Sequence, residues 1–197
     1  MVALRAEDAK SLLNNVLDRY ELVGQFSCGV TLYAHDKPDQ VNVLGDICFV
    51  RNGKIEVSWI VAPFDPILPG VAQSIVGETN RFEFIEDGVV LRKCDSLKSL
   101  IVATTGVSNG VSYLMPSILL GGFANLNLRQ ASHLEYVSEQ NVSKGGDVVI
   151  QGITRAGTFT MWINSLDLTI NQIRTPLTTE VYRDVSMDME KPKGSVP

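Results

Sequence analysis

The chain lacks a concentrated positive charge, an apolar run of membrane-spanning length and closely spaced cysteines, and each absence removes a class of function. Its 17 basic residues are outnumbered by 22 acidic ones, for a formal net charge of −5. The basic residues are scattered, and the one local pair, Lys191 and Lys193, stands in a tail containing Pro and Gly. No basic field exists to neutralise a phosphate backbone, so nucleic acid is not expected as a partner. The strongest apolar stretch, Val111 to Phe123, is interrupted by Pro116 and by Gly121-Gly122, so no transmembrane segment is expected. The N-terminus has neither the charged start nor the long apolar run of a secretory signal, which leaves a cytoplasmic protein or one whose leader was replaced by Met1.

The three cysteines, Cys28, Cys48 and Cys94, are odd in number and widely spaced, which disfavours a disulfide framework or a metal knuckle. A hairpin near Pro38 would bring Cys28 towards Cys48. Matching the apolar faces instead (Phe26, Cys28, Val30 and Leu32 against Val43, Ile47 and Phe49) sets Cys28 opposite Phe49 and turns Cys48 away. Three free thiols are expected. The two histidines, His35 and His133, are distant in sequence, no CxxC or HxxxH spacing occurs, and no metal is expected. Neither a P-loop nor a GxGxxG is present, so no cofactor is expected.

What the chain does have is apolar patterning. In 197 residues, 45% are hydrophobic, enough for the core of one domain over 1–190, with 191–197 as a flexible tail. Leu13, Val16, Leu17 and Tyr20 recur at helical spacing, with Glu7 and Asp8 in the first turn and Arg19 near the end. From Gln25 the period changes to two. Strands are expected at 25–34 and 41–50, then at Lys54–Val61, where Ile55, Val57, Trp59 and Val61 alternate with polar residues. That alternation gives one buried and one wet face, the antiparallel habit. Pro63, Pro66 and Pro69 interrupt the sheet before a short apolar segment at Val71–Val76. Phe82 and Phe84 share a strand that turns at Glu86-Asp87-Gly88, and strands near 89–94 and 99–104 complete the first half.

Residues 105–124 form an apolar insert in which Ser108-Asn109 would cap a short helix and Gly121-Gly122 would end it. Alternation resumes near 132–138, 147–153, 157–164, 167–174 and 178–189. Met161 lies with Phe159 and Ile163 while Trp162 faces away, and Val181, Val185, Met187 and Met189 share one face of the last strand. The expectation is a mainly antiparallel α+β fold of about ten or eleven strands, with an N-terminal helix and a helical insert.

This order of elements resembles the LolA/LppX superfamily of outer-membrane lipoprotein carriers. The matching residues are the amphipathic first helix, Gly45-Asp46-Ile47-Cys48-Phe49-Val50-Arg51 running into a turn, Lys54–Trp59, Glu86-Asp87-Gly88 and the mid-chain apolar insert. The family turn often carries Arg-Pro; here it is Arg51-Asn52, so the Arg matches and the Pro does not. The resemblance implies an unclosed β-barrel with an apolar concave face under a helical lid. It further implies a non-enzymatic, periplasmic or otherwise extracytoplasmic binder of lipid or of the acyl chains of a lipoprotein, with its leader removed. In this reading Ile55, Val57, Trp59, Phe82 and Phe84 line the groove, and Leu114, Met115, Ile118 and Leu119 form the lid. Leu120 would extend the lid, and Gly106, Gly110, Gly121 and Gly122 would hinge it. Arg51 would latch it by donating to carbonyls of the insert.

Two rival readings come from other classes. An envelope sensor or protein-interaction domain would use the outer sheet face, with Trp59, Trp162 and Tyr182 as contacts. An esterase would centre on Ser108 in Gly106-Val107-Ser108-Asn109-Gly110, although a nucleophile elbow requires an α/β context that the β pattern denies. Asn141-Val142-Ser143 is a formal glycosylation sequon, and Glu135 with Glu139 reads as an exposed strand edge.

Overall fold

Ala9, Leu13, Val16, Leu17 and Tyr20 form one face of helix α1 (Ala6–Leu22), and all five are buried. The computed structural model describes residues 6–35, 41–51, 54–61, 70–78, 81–104, 114–120, 127–137 and 146–189. Several sequence expectations lie outside these residues: the turn at Pro38, Asn52-Gly53 and the three prolines of 63–69. Outside them too are Ser108 with its flanking glycines, Gly121-Gly122, the sequon, Glu139 and the tail.

Strand β1 (Val23–Ala34) follows α1 directly. Five more strands complete the first half: β2 (Val43–Val50), β3 (Lys54–Val61), β4 (Val71–Glu78), β5 (Arg81–Glu86) and β6 (Val89–Cys94). Helices α2 (Leu97–Thr104) and α3 (Leu114–Leu119) and a 3-10 turn at Leu128–Gln130 come next. The second half contributes β7 (Ser132–Tyr136), β8 (Asp147–Thr154), β9 (Gly157–Asn164), β10 (Ile170–Arg174) and β11 (Thr178–Met189).

All eleven strands form one antiparallel sheet in the order β6-β5-β4-β3-β2-β1-β11-β10-β9-β8-β7. Each half is a meander, and the two join where β1 pairs with β11. The outermost strands β6 and β7 are not paired with each other, so the architecture is an open half-barrel with helices, an α+β fold.

One face of this sheet is continuously apolar. Phe26, Phe49 and Ile55 form one cross-strand row; Cys28, Ile47, Val57, Ile75 and Phe84 form the next. All are buried in a single core that also takes in the inner faces of α1, α2 and α3. Gly45 sits in the following row, opposite Trp59. A Cβ at Gly45 would stand 2.2 Å from the Ser58 carbonyl oxygen and 2.7 Å from Trp59 Cβ, so glycine is required for the indole to lie there.

The structure departs from the sequence expectations at five places. Residues 99–104 are part of helix α2 rather than a strand: Leu100, Ile101 and Thr104 are buried at helical spacing, and the Ser96 hydroxyl accepts from the Ser99 amide at its start. The apolar segment at 71–76 is a full strand, β4, paired on both sides. Cys28 faces Ile47, and Phe49 instead faces Phe26, although Cys28 is buried and Cys48 exposed as their opposite faces require. Strand β10 begins at Ile170, because the chain turns at Leu168 (φ 58) with its amide bonded to the Asn164 carbonyl. Finally, β11 is bulged. Ser27 pairs with Ser186 but Gly29 with Arg183, so one extra residue is accommodated around Asp184, whose φ is 52. Val185 and Met187 therefore pack on the core, whereas Val181 turns to the outer face and Glu180 and Tyr182 turn inward.

Candidate functional site

The apolar face is covered by helices, and one side chain bonds to two of them. Arg51 follows β2 directly, where the chain comes level with the end of α1. Its Nε donates to the Val23 carbonyl at 2.9 Å, and one terminal nitrogen donates to the carbonyls of Tyr20 and Leu119, both at 3.2 Å. The guanidinium also lies 5.5 Å from the centroid of the Phe49 ring. One cation thus joins the strand end, the C-terminus of α1 and the last residue of α3. Carbonyls at a helix end lack intrahelical donors, and a cation there also meets the negative end of the helix dipole.

Helix α3 is buried on every side: Leu114, Met115, Pro116, Ser117, Ile118 and Leu119 are all buried. Pro116 is tolerated because it stands in the first turn, where its missing amide has no helical partner to lose. Helix α1 is fastened independently of Arg51. The Tyr20 hydroxyl accepts from the Ile170 amide at 2.9 Å, and Arg129 bridges Asp18 at 2.6 Å and Glu21 at 2.9 Å. Lys10 Nζ donates to the Arg129 carbonyl at 2.6 Å.

Ile55, Val57, Trp59, Phe82 and Phe84 all lie on the inner face, and none is more than 8% exposed. They belong to the same core as Leu114, Met115, Ile118 and Leu119. Trp59 stacks on Phe84, with ring centroids 6.3 Å apart and planes inclined by 17°. Its Nε1 donates to Gln73 Oε1 at 2.7 Å, and Gln73 Nε2 donates to Glu86 at 2.6 Å, so the indole is tied to a polar relay that leads out of the core. Of the residues named for an outer interaction face, Trp59 and Tyr182 point inward, and only Trp162 lies on the other side.

The sequence reading missed the polar pair inside the core. Glu180 is fully buried, and its Oε2 accepts from the Tyr182 hydroxyl at 2.7 Å. Burial pushes the Glu180 carboxyl up to about 8, against the Tyr182 hydrogen bond, which lowers it. Burial also raises Tyr182, and the neighbouring carboxylate adds to the shift. The buried Cys28 thiol is raised for the same first reason, with Glu180 the next contributor. The signal in the sequence was Arg183-Asp184, two charged residues in mid-strand, which mark the bulge that turns Glu180 and Tyr182 inward.

The outer face carries a separate feature. Leu44 and Ile60 are cross-strand neighbours, each more than half exposed, and they border an open depression of about 480 Å³ with Ala72 and Ile85. Among the described residues no group of three His, Cys, Asp or Glu side chains is placed to hold a metal ion, and no helix is long and apolar enough to cross a membrane.

No family profile and no curated protein sequence matches the chain. Solved structures do. LppX, a lipoprotein of Mycobacterium tuberculosis, superposes with a TM-score of 0.55 at 12% identity, over 93% of this chain and 99% of its own. LprF from Mycobacterium bovis gives 0.53 at 13% identity, over 97% and 99%. The chain therefore has an LppX-like fold across nearly its whole length.

Proposed function

We propose that this protein is a non-enzymatic, extracytoplasmic binder or carrier of lipid or of lipoprotein acyl chains, taken up between the apolar sheet face and helix α3. The observation that carries this reading is the Arg51 clasp. A mostly apolar helix packs in the core below the sheet face, and among the described residues the hydrogen bond that reaches it from outside comes from a strand-end cation, an arrangement suited to release and reclosure. In this reading Ile55, Val57, Trp59, Phe82 and Phe84 exchange contacts within the shared core for contact with an acyl chain. Each methylene removed from water contributes about 0.8 kcal/mol, so a chain of about sixteen carbons supplies on the order of 10 kcal/mol before ordering costs. That is of the same order as the burial given up by Leu114, Met115, Ile118 and Leu119, at about 1.5–3 kcal/mol each, so an acyl chain and α3 would compete for the face on near-equal terms. Likeness in fold to LppX, a lipoprotein, supports the reading by analogy of architecture.

Native mass spectrometry of the purified chain, followed by organic extraction, tests it. A co-purified acyl species in stoichiometric amount, or uptake of added fatty acid or phospholipid, is the expected result. An empty protein that takes up neither refutes it. The exposed Leu44 and Ile60 pair favours one alternative, a protein-interaction domain using the outer face, and that refuting result would transfer the assignment there.

A further inference from the structure

Inside the sheet, hydrogen-bonding capacity is left unused at one conspicuous place. Among the described residues, three buried side-chain atoms lack a hydrogen-bond partner: Arg19 Nε, Ser117 Oγ and Glu180 Oε1. Arg19 is only half-buried as a residue, and Ser117 lies on a helix of six residues. Glu180 is of another kind. It stands on a central strand in the cross-strand row Ile150, Met161, Ile173, Glu180, Leu32, Val43, and the five others are apolar and at most 1% exposed. A Leu or Val would complete this row. A carboxyl with an unmet oxygen costs about 1–3 kcal/mol there, so its presence calls for a partner that the described residues do not supply.

The carboxyl is also oriented. Its Oε2 is taken by the Tyr182 hydroxyl, which leaves Oε1 as the free end. With the carboxyl pushed up to about 8 by burial, the acid form prevails at neutral pH. Because Oε2 already receives the phenol proton, the acid proton belongs on Oε1. The group is then a neutral O–H donor set in an apolar wall.

We infer that Glu180 Oε1 is the polar contact of the bound lipid, donating to the carbonyl oxygen of an acyl ester whose chains lie on the surrounding apolar face. An ester carbonyl accepts, has no proton of its own and brings no charge into the core. A phosphate would have to be buried ionised, which desolvation opposes, and a fatty-acid carboxylate would first have to take up a proton, a cost at neutral pH that an ester does not incur. The inference deepens the lipid-binding reading and rests on it. It assigns a chemical class, neutral acyl esters, to the same face.

The test compares dioleoylglycerol with its dialkyl ether counterpart, bound to the full chain and measured at equilibrium. The parent is expected to favour the diester by about 5- to 10-fold, the equivalent of one net hydrogen bond. Glu180→Gln keeps the preference, because its amide oxygen still accepts from Tyr182 and its NH2 donates from the Oε1 position. Glu180→Leu binds the diether as the parent does and loses the preference. Thermal unfolding by circular dichroism confirms that both variants fold. Equal binding of the two lipids by the parent, or an unchanged preference in Glu180→Leu, overturns the inference while the lipid-binding reading stands. Binding of neither lipid, nor of fatty acid or phospholipid, overturns both.

Discussion

Replacing Arg51 with leucine removes three charge-assisted hydrogen bonds, to the carbonyls of Val23, Tyr20 and Leu119. Bonds of that type contribute about 1.5–3 kcal/mol each when short and well buried. Two of these are 3.2 Å long and share a nitrogen, and the guanidinium is only half-buried, so the lower end applies. The freed carbonyls at the end of α1 recover part of the loss by hydration. We expect Arg51→Leu to lower global stability by about 2–4 kcal/mol, read as a reduced urea midpoint at unchanged slope. The local effect is more diagnostic. Only the Leu119 bond reaches α3, and the Leu120 amide, bonded to the Pro116 carbonyl at 3.1 Å, reports that helix. Its hydrogen exchange should accelerate by about 10-fold beyond the global change, the equivalent of one lost bond. The Ile170 amide, which bonds to the Tyr20 hydroxyl and not to Arg51, should follow the global change alone. Arg51→Lys keeps the charge beside the end of α1 but lacks the fork needed to reach separate carbonyls, so it should fall between. An Arg51→Leu protein with the parent midpoint and parent exchange at Leu120 would refute the latch.

Three further outcomes follow from the same geometry. The Glu180 carboxyl is raised in the folded state to about 8 from an ordinary value of 4.5, so the folded chain holds a proton that the unfolded chain releases. Tyr182 and Cys28 are the titratable neighbours that face it. Stability contributed by this group is therefore present below pH 4.5 and falls as pH rises towards 8; chemical denaturation across that window should show the decline, and Glu180→Gln should flatten it. Thiol labelling with a chromogenic disulfide should proceed rapidly at exposed Cys48, more slowly at half-buried Cys94 and at Cys28 only on unfolding. Gly45→Ala should cost about 3 kcal/mol or more in thermal or urea unfolding, because its Cβ would meet backbone and the base of Trp59 rather than a movable side-chain end.

What was legible in the sequence was whatever rests on side-chain periodicity. The α1 face, the alternation of Ile55, Val57 and Trp59, and the inward set Phe159, Met161 and Ile163 all follow from spacing alone. Helix α2 was hidden because its central Ile101-Val102 is β-branched and its helical repeat is only two turns long. The neighbours of Cys28 were misplaced because an apolar match tolerates a slip of two residues without changing faces. Glu180 and Tyr182 were missed for a backbone reason. A single left-handed residue, Asp184, reverses the alternation, so that Val181 and Val185 fall on opposite sides although their spacing is even. Asp tolerates that conformation better than most residues, but it does not require it.

The topology explains why these features are arranged as they are. Because the chain enters the sheet at β1 and leaves it at β11, its two ends share the central seam, and α1 is delivered straight onto it. That placement gives α1 anchors on both halves: Arg51 from the first, and the Ile170 amide and Arg129 from the second. Helix α3 joins the halves and has only its apolar packing and the Arg51 bond among its described anchors. Loosening must then be ordered. Loss of the Leu119 bond would leave α3 with its apolar packing alone among the described contacts, while α1 would remain tied through Tyr20, Asp18 and Glu21. On the lipid-binding reading, chains would lie along the apolar row of Cys28, Ile47, Val57, Ile75 and Phe84, with the polar group at Glu180 on the same face near the seam.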